Sequence, residues 1–315
     1  MENTMSGVTC LVTGGAGFIG SHVVESLITD GCSVAVIDNL SSGHREQVHP
    51  NARFYQADIL DSLEEIFDRE RPEVVFHLAA QVSVSVSTRK PEVDARTNIE
   101  GSIRVLQQCV RTGVRRVVYA SSAAVYGEPP ALPLQEDQFV FPLSPYGISK
   151  YAVEYYLNYM RHAHGLEYVA LRYGNVYGPR QDPHGEAGVV AIFSRRLLHG
   201  EPAVIYGDGF QTRDYVFVRD IARANRLAGD AVIPEGVRPV FNIGTGRQTT
   251  TNEIFRMLRE FTGSKQEEIH EPPRPGDVNH SYMANNLARK YLNWTPQVSI
   301  EEGLKETVAF FRSAG

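Results

Sequence analysis

Residues 8–20 read VTCLVTGGAGFIG: an apolar run, Val8 to Val12, ends in Thr13, and glycines follow at 14, 15, 17 and 20. An apolar-periodic segment then runs from Phe18 to about Ile28. Buried strand, tight turn and helix in that order are what a dinucleotide site requires. Gly15, Gly17 and Gly20 fit G-x-G-x-x-G, and Gly14, Gly17 and Gly20 fit the variant with glycines three apart. A side chain at the turn would keep a pyrophosphate away from the N–H groups at the helix N-terminus, where the dipole favours an anion. Glycines also make ordinary strand-to-helix turns, so the loop alone is a weak signal. Asp38 strengthens it: it ends a second apolar run, Val34 to Ile37, at about the spacing where an acid binds the adenosine ribose hydroxyls. An acid followed by Asn39 and Leu40, rather than by an arginine, predicts NAD over NADP.

Outward from this stretch, strands and helices alternate. Arg53 to Gln56 and Glu73 to His77 read as the third and fourth strands, with a helix from Asp61 to Asp68 between them. Pro91 opens a long helix to about Thr112, followed by strand Val117 to Ala120, helix Pro145 to His164 and strand Tyr168 to Arg172. Such alternation predicts an α/β fold, a Rossmann-like doubly wound parallel sheet with its ligands at the carboxyl ends of the strands. From about Gly178 glycine, proline and charge interrupt the apolar runs, which predicts a smaller C-terminal substrate-binding lobe over 178–315 beside a nucleotide-binding domain over 1–177. Residues 214–245 read as a return to the main sheet, through Asp220 to Gly229 and Pro239 to Ile243. The terminal helix, Ser299 to Phe311, is amphipathic.

Composition excludes several classes. A formal charge of −6 over 315 residues argues against a general nucleic-acid binder. Three scattered cysteines, Cys10, Cys32 and Cys109, fit neither a disulfide framework nor a zinc site, and no metal is expected. No run reaches the ~20 apolar residues of a membrane span. With no basic leader at MENTMSG, a cytoplasmic location is expected.

Tyr146 and Lys150, in SPYGISK, are four apart on a helix started by Pro145 and so share a face. A tyrosine titrates near ~10, too high for a base at neutral pH. A neighbouring ammonium and a positive nicotinamide ring would bring it down. Ser122, after the fifth strand, offers a hydroxyl to the same substrate oxygen. Each alone is commonplace: a helix-start tyrosine, a solvated lysine, a turn serine. Behind an NAD loop the three together are hard to explain as structure.

With TGGAGFIGSH, HLAAQ at 77–81, SSAAVYG at 121–127, SPYGISK at 144–150, RYGNVYGPRQ at 172–181, Arg213-Asp214-Tyr215 and RPGD at 274–277, the chain resembles the extended short-chain dehydrogenase/reductase family. Within it the resemblance is to the UDP-glucose (UDP-hexose) 4-epimerases. It implies Ser122, Tyr146 and Lys150 as the catalytic set, with epimerisation of a UDP-hexose through a transient 4-keto sugar and NAD regenerated in each cycle. Gly14, Gly17, Phe18, Ile19, Gly20, Asp38, Asn39, Asp58, Ile59, Leu78, Ala79, Ala80, Asn98 and Tyr173 would hold NAD with the dyad. Asn175, Val189, Val204, Tyr206, Arg213, Arg274, Asp277 and Ser281 would join Ser122 in holding the UDP-sugar. Many family members carry a lysine where this chain has Val82, which leaves the nicotinamide side open. Ala123-Ala124 stand where 4,6-dehydratases carry an Asp-Glu pair, arguing against dehydration. Three rival activities are compatible with the same triad or fold: a net nucleotide-sugar oxidoreductase, a UDP-glucuronate epimerase, which Asp182 and Glu186 disfavour, and a catalytically silent NAD sensor. Ser281, in place of a tyrosine, predicts that N-acetyl sugars are also accepted. Family habit implies a homodimer through helices 91–112 and 145–164.

Overall fold

The computed structural model describes residues 5–128, 131–184, 188–273 and 278–314. The first half comprises β1 (Thr9–Thr13), α1 (Phe18–Thr29), β2 (Ser33–Asp38), β3 (Arg53–Gln56), α2 (Glu64–Glu70), β4 (Val74–His77), α3 (Val84–Arg89) and α4 (Pro91–Ala95). It continues with α5 (Gly101–Thr112), β5 (Arg116–Ser122), α6 (Pro145–His164), β6 (Glu167–Tyr173), β7 (Asn175–Tyr177), α7 (Val189–Leu198), β8 (Ala203–Tyr206), β9 (Thr212–Arg213) and β10 (Tyr215–Phe217). Then follow α8 (Val218–Asp230), β11 (Val240–Ile243), β12 (Thr249–Thr250), α9 (Thr251–Thr262), β13 (Glu268–Glu271), α10 (Asn286–Leu292) and α11 (Ile300–Ala314).

Seven strands form one parallel sheet in the order β11-β6-β5-β4-β1-β2-β3. Successive strand residues point to opposite faces, so a strand apolar throughout must be covered on both. Val12, Val36, Phe76 and Phe241 pack with Val24 and Leu27 of α1 and Ala224 and Ala228 of α8. Leu11, Val75 and Val117 pack on the other face with Phe67 of α2, Leu106 of α5, and Val153 and Leu157 of α6. A separate cluster joins Phe193 and Leu197 of α7, Ile254 and Leu258 of α9, and Leu304 and Val308 of α11. β11, reached through α8, pairs with β6 in the main sheet.

The strand order reverses between β1 and β4, and at that switch point the carboxyl ends splay to leave a crevice. Sequence periodicity put one helix over 91–112. The chain instead breaks into α4, a π-helical turn over Arg96–Glu100 and α5. The break goes with Asn98, whose amide is buried and bonded to Gln81, Asp94 and Ser149. Such a turn often marks a functional site. The short helix α3 was also not legible, because its VSVSTR lacks any helical period.

Candidate active site

A cavity of about 580 Å³ opens along the carboxyl ends of the strands. Its floor is the turn from β1 to α1. Gly14 has φ +73°, and a Cβ there would lie 2.7 Å from the backbone nitrogen of Ala79. A Cβ on Gly20 would lie 2.0 Å from the Gly14 carbonyl oxygen. These two glycines bring α1 and the end of β4 close to β1, and no other residue fits. Helix α1 has no side-chain cap at Gly17 and no acid in its first turn, so its N-terminal amides face the cavity free for an anion.

Asp38, nearly buried, is held at the rim by two amides: Ala16 N–H donates to Oδ2 at 2.9 Å and Leu40 N–H to Oδ1 at 2.8 Å. Each oxygen keeps a lone pair for a vicinal diol. Asn39 donates to Asp58 at 2.7 Å, which closes the adjoining wall with Ile59. An uncapped helix end, a carboxylate and an apolar slot thus fit a pyrophosphate, a ribose and a flat base. Of the expected cofactor contacts, Gly14, Gly17, Phe18, Ile19, Gly20, Asp38, Asn39, Asp58, Ile59, Leu78, Ala79, Ala80, Tyr146, Lys150 and Tyr173 all line the cavity. Asn98 does not: its amide is spent on internal partners, and Thr97 is the lining residue there.

The reactive end is set by α6. Ser144 accepts the Gly147 N–H at 3.1 Å as N-cap, Pro145 pre-sets the first turn, and Ser87 accepts the Tyr146 N–H at 3.1 Å. The Ser122 hydroxyl interacts with the Tyr146 phenol in the sense that favours the phenolate. Lys150, buried, donates to the Ala120 carbonyl at 3.0 Å, and its Nζ lies 5.2 Å from the Tyr119 ring centre and 5.8 Å from that of Tyr146. Burial pushes Tyr146 up to about 12, against the Ser122 hydroxyl, with Asp94 raising it further. Burial pushes Lys150 down to about 8, opposed by Asp94. The protein's own groups thus leave Tyr146 above its ordinary value, because desolvation of the phenolate outweighs them; the expected lowering calls on the positive nicotinamide as well as Lys150. His77 lies beneath, between Thr13 at 2.7 Å and Ser102 at 2.9 Å, and burial holds it neutral, down at about 3.

Of the expected substrate contacts, Asn175 and Val189 line the cavity; at the end of β5 the lining residue is Ser121, and Ser122 is the next residue along. Arg213 and Ser281 are neighbours on a strip next to it: Arg213 ends β9 and donates to the Thr212 and Asn279 carbonyls, and the Ser281 N–H donates to Thr212 at 3.2 Å. Val204 and Tyr206 stand on β8, paired with β13, away from the lining. Arg274, Asp277 and Glu186 lie outside the described residues. The sequence reading missed Ser41, Ser42, His44 and Thr97 in the lining, while Arg180, Gln181 and Asp182, read as approaching the hexose, do line it. Ser41 and Ser42 could have been found from their place just past a strand end.

A family model described as the NAD dependent epimerase/dehydratase family matches residues 10–244. The chain is 47% identical to a UDP-glucose 4-epimerase of Mycolicibacterium smegmatis, over 96% of this chain and 98% of that one. A UDP-glucose 4-epimerase from Thermotoga maritima, solved with UDP-glucose, is 52% identical with a TM-score of 0.93, covering 97% of this chain and 99% of its own. A UDP-N-acetylglucosamine 4-epimerase from Methanobrevibacter ruminantium, solved with UDP-N-acetylmuramic acid, is 39% identical with a TM-score of 0.93, covering 99% and 100%.

The turn geometry separates two glycine substitutions. Gly20→Ala should leave little folded protein, because its methyl group meets the Gly14 backbone at 2.0 Å. Gly17→Ala, whose Cβ would sit 3.3 Å from the Gly14 oxygen, should fold but bind NAD at least ~10-fold more weakly, because the methyl crowds the uncapped amides. Circular dichroism melts and titration calorimetry with NAD check both; wild-type affinity in Gly17→Ala would refute the cradle.

Proposed function

The chain belongs to the NAD dependent epimerase/dehydratase family, and we propose that it interconverts UDP-hexoses by inverting C4. The observation that carries this reading is buried Lys150 beside the Tyr146 ring, at the end of a cavity whose other end fits a dinucleotide. The family match and the UDP-glucose 4-epimerases among the relatives support it.

The cavity residues named above hold NAD, with Asp38 on the adenosine ribose and the α1 N-terminus on the pyrophosphate. When bound, oxidised NAD supplies the hydride acceptor at C4 and an added positive charge that favours the Tyr146 phenolate. Tyr146 takes the proton of the 4-hydroxyl and returns it, since its phenol lines the cavity at that end beside the Lys150 cation. Ser122 donates a hydrogen bond to the same sugar oxygen and so orients it toward Tyr146. Lys150 stays protonated at neutral pH, holding the cofactor ribose and a cation beside the tyrosine. Arg213 and Arg274 neutralise the UDP phosphates with forked guanidinium contacts, Asn175 adds a diphosphate hydrogen bond, and Asp277 takes the uridine ribose. The cysteines, all free and buried, favour action in the cytoplasm. Among the described residues no helix is long and apolar enough to cross a membrane.

The protein should purify with NAD bound and turn over UDP-glucose and UDP-galactose without added cofactor, and Tyr146→Phe should keep NAD and fold but lose at least ~10³-fold in kcat. Net NADH formation on adding UDP-glucose, or a Tyr146→Phe variant within a few-fold of wild type, would overturn the reading.

Ser281 sets the tolerance for the sugar's 2-substituent. It is small and partly exposed on the strip that carries Arg213, and a serine occupies less room than a tyrosine by the volume of a phenol ring. The UDP-N-acetylglucosamine 4-epimerase among the structural neighbours supports this assignment. Ser281→Tyr should abolish turnover of UDP-N-acetylglucosamine while UDP-glucose turnover stays within a few-fold. Equal loss of both in a coupled assay would refute the gate.

The partner of α6 is a second copy of the chain. Ile148, Tyr155 and Tyr159 lie at i, i+7 and i+11, one stripe of the helix, and are 53%, 62% and 55% exposed. An apolar stripe on a 20-residue helix is what a self-complementary helix pair requires. Light scattering should give a dimer for the wild type and a monomer for Tyr155→Glu/Tyr159→Glu; a monomeric wild type would sink the assignment.

A further inference from the structure

Asp94 of α4 is a buried acid that the mechanism does not use. It is 1% exposed. Its Oδ1 accepts from Gln81 Nε2 at 2.8 Å and from Asn98 Nδ2 at 3.1 Å, while Oδ2 has no partner among the described residues. A buried carboxylate oxygen left unpaired is costly and calls for a reason. Asn98 also donates to Ser149 Oγ at 3.1 Å, and Ser149 donates to the Tyr146 carbonyl at 3.0 Å. A continuous line of polar contacts thus runs from Asp94 into the first turn of α6, where Tyr146 and Lys150 stand.

Among the described residues no carboxylate makes an ion pair with Lys150, whose Nζ is spent on the Ala120 carbonyl. The titratable groups around the pair are His77 of β4, Tyr119 of β5, Tyr173 of β6 and Glu154 of α6. His77 is neutral by burial, and burial pushes both tyrosines up. Glu154 is engaged by Arg172 and Arg238. Asp94 alone adds an uncompensated negative charge, and it acts on both members of the pair.

We propose that Asp94 is a positioning residue for Tyr146 and Lys150: braced by Gln81 and Asn98, its carboxylate sets the local field in which both groups ionise. It keeps Lys150 cationic despite burial. The same charge opposes the Tyr146 phenolate, so removing it lowers the pKa of both groups. The proposal rests on the reading of Tyr146 and Lys150 as the proton-handling pair.

Asp94→Asn keeps the shape and an oxygen for Gln81 and Asn98. In the holoenzyme both limbs of the pH–rate profile for UDP-glucose should move to lower pH, by ~0.5 unit or more. The tyrosinate absorbance titration, differenced against Tyr146→Phe in each background, should move the same way. Unmoved profiles and an unmoved tyrosinate midpoint in folded Asp94→Asn would overturn the proposal. Asp94→Glu, which retains the charge, should run slower with the wild-type profile, and a displaced profile there would equally overturn it if Asp94→Asn does not fold. Asn98→Ala removes the brace and leaves the charge, so kcat should fall without displacement of the profile; displacement matching Asp94→Asn would assign the effect to the brace instead. The tyrosinate titration needs no substrate, so it decides the role of Asp94 even if UDP-hexose turnover is absent.

Discussion

An ion pair without access to water, Arg172 of β6 with Glu154 of α6, is the contact on which the placement of the reactive groups depends. The two side chains are 0% and 1% exposed and meet through two hydrogen bonds, at 2.9 and 2.7 Å. Ser121 donates to Glu154 at 2.7 Å and Arg238 at 3.1 Å, while the rings of Tyr126 and Tyr151 flank the guanidinium. Removing one partner of such a pair leaves an uncompensated buried charge, a loss of about 3–5 kcal/mol. The pair therefore locks one register of α6 on β5 and β6. Glu154 stands one turn beyond Lys150 on the same helix, and Ser121 precedes Ser122. One carboxylate thus fixes Tyr146 and Lys150 relative to Ser122.

Burial has two consequences at this end of the cavity, and they pull in opposite directions. It excludes water, which strengthens the field of Lys150 on Tyr146. It also disfavours every charged form there, raising Tyr146 and lowering Lys150. The nearby buried groups are arranged to limit that conflict: His77 stays neutral between two hydroxyls, and Glu154 is compensated by arginines.

On the substrate side the same logic is carried by Asp214. Its carboxylate accepts from the Thr245 N–H at 2.7 Å, the Gly246 N–H at 3.0 Å and the Met283 N–H at 3.1 Å, and from the Thr245 hydroxyl. It ties the segment after β9 to the loop after β11 and to the stretch holding Ser281. Arg213 and Ser281, 68 positions apart in the chain, become neighbours because both border this acid.

Much of this was legible without coordinates. Apolar runs ending in polar residues marked β1 to β6, and Gly14, Gly17, Gly20 and Asp38 marked the nucleotide end, because strand period and turn chemistry are local properties. Tyr146, Lys150 and Ser122 were legible as candidates, because a helix start and a strand end place side chains predictably. Tertiary structure alone decided what depends on distant partners. It broke the 91–112 helix at Asn98, whose amide found buried partners in Gln81, Asp94 and Ser149. It drew Asn98 away from the cofactor wall and brought Arg213 beside Ser281. It also set how strongly burial opposes the Tyr146 phenolate: residue spacing reports that a cation is near, whereas desolvation depends on how many atoms the whole fold packs around the phenol.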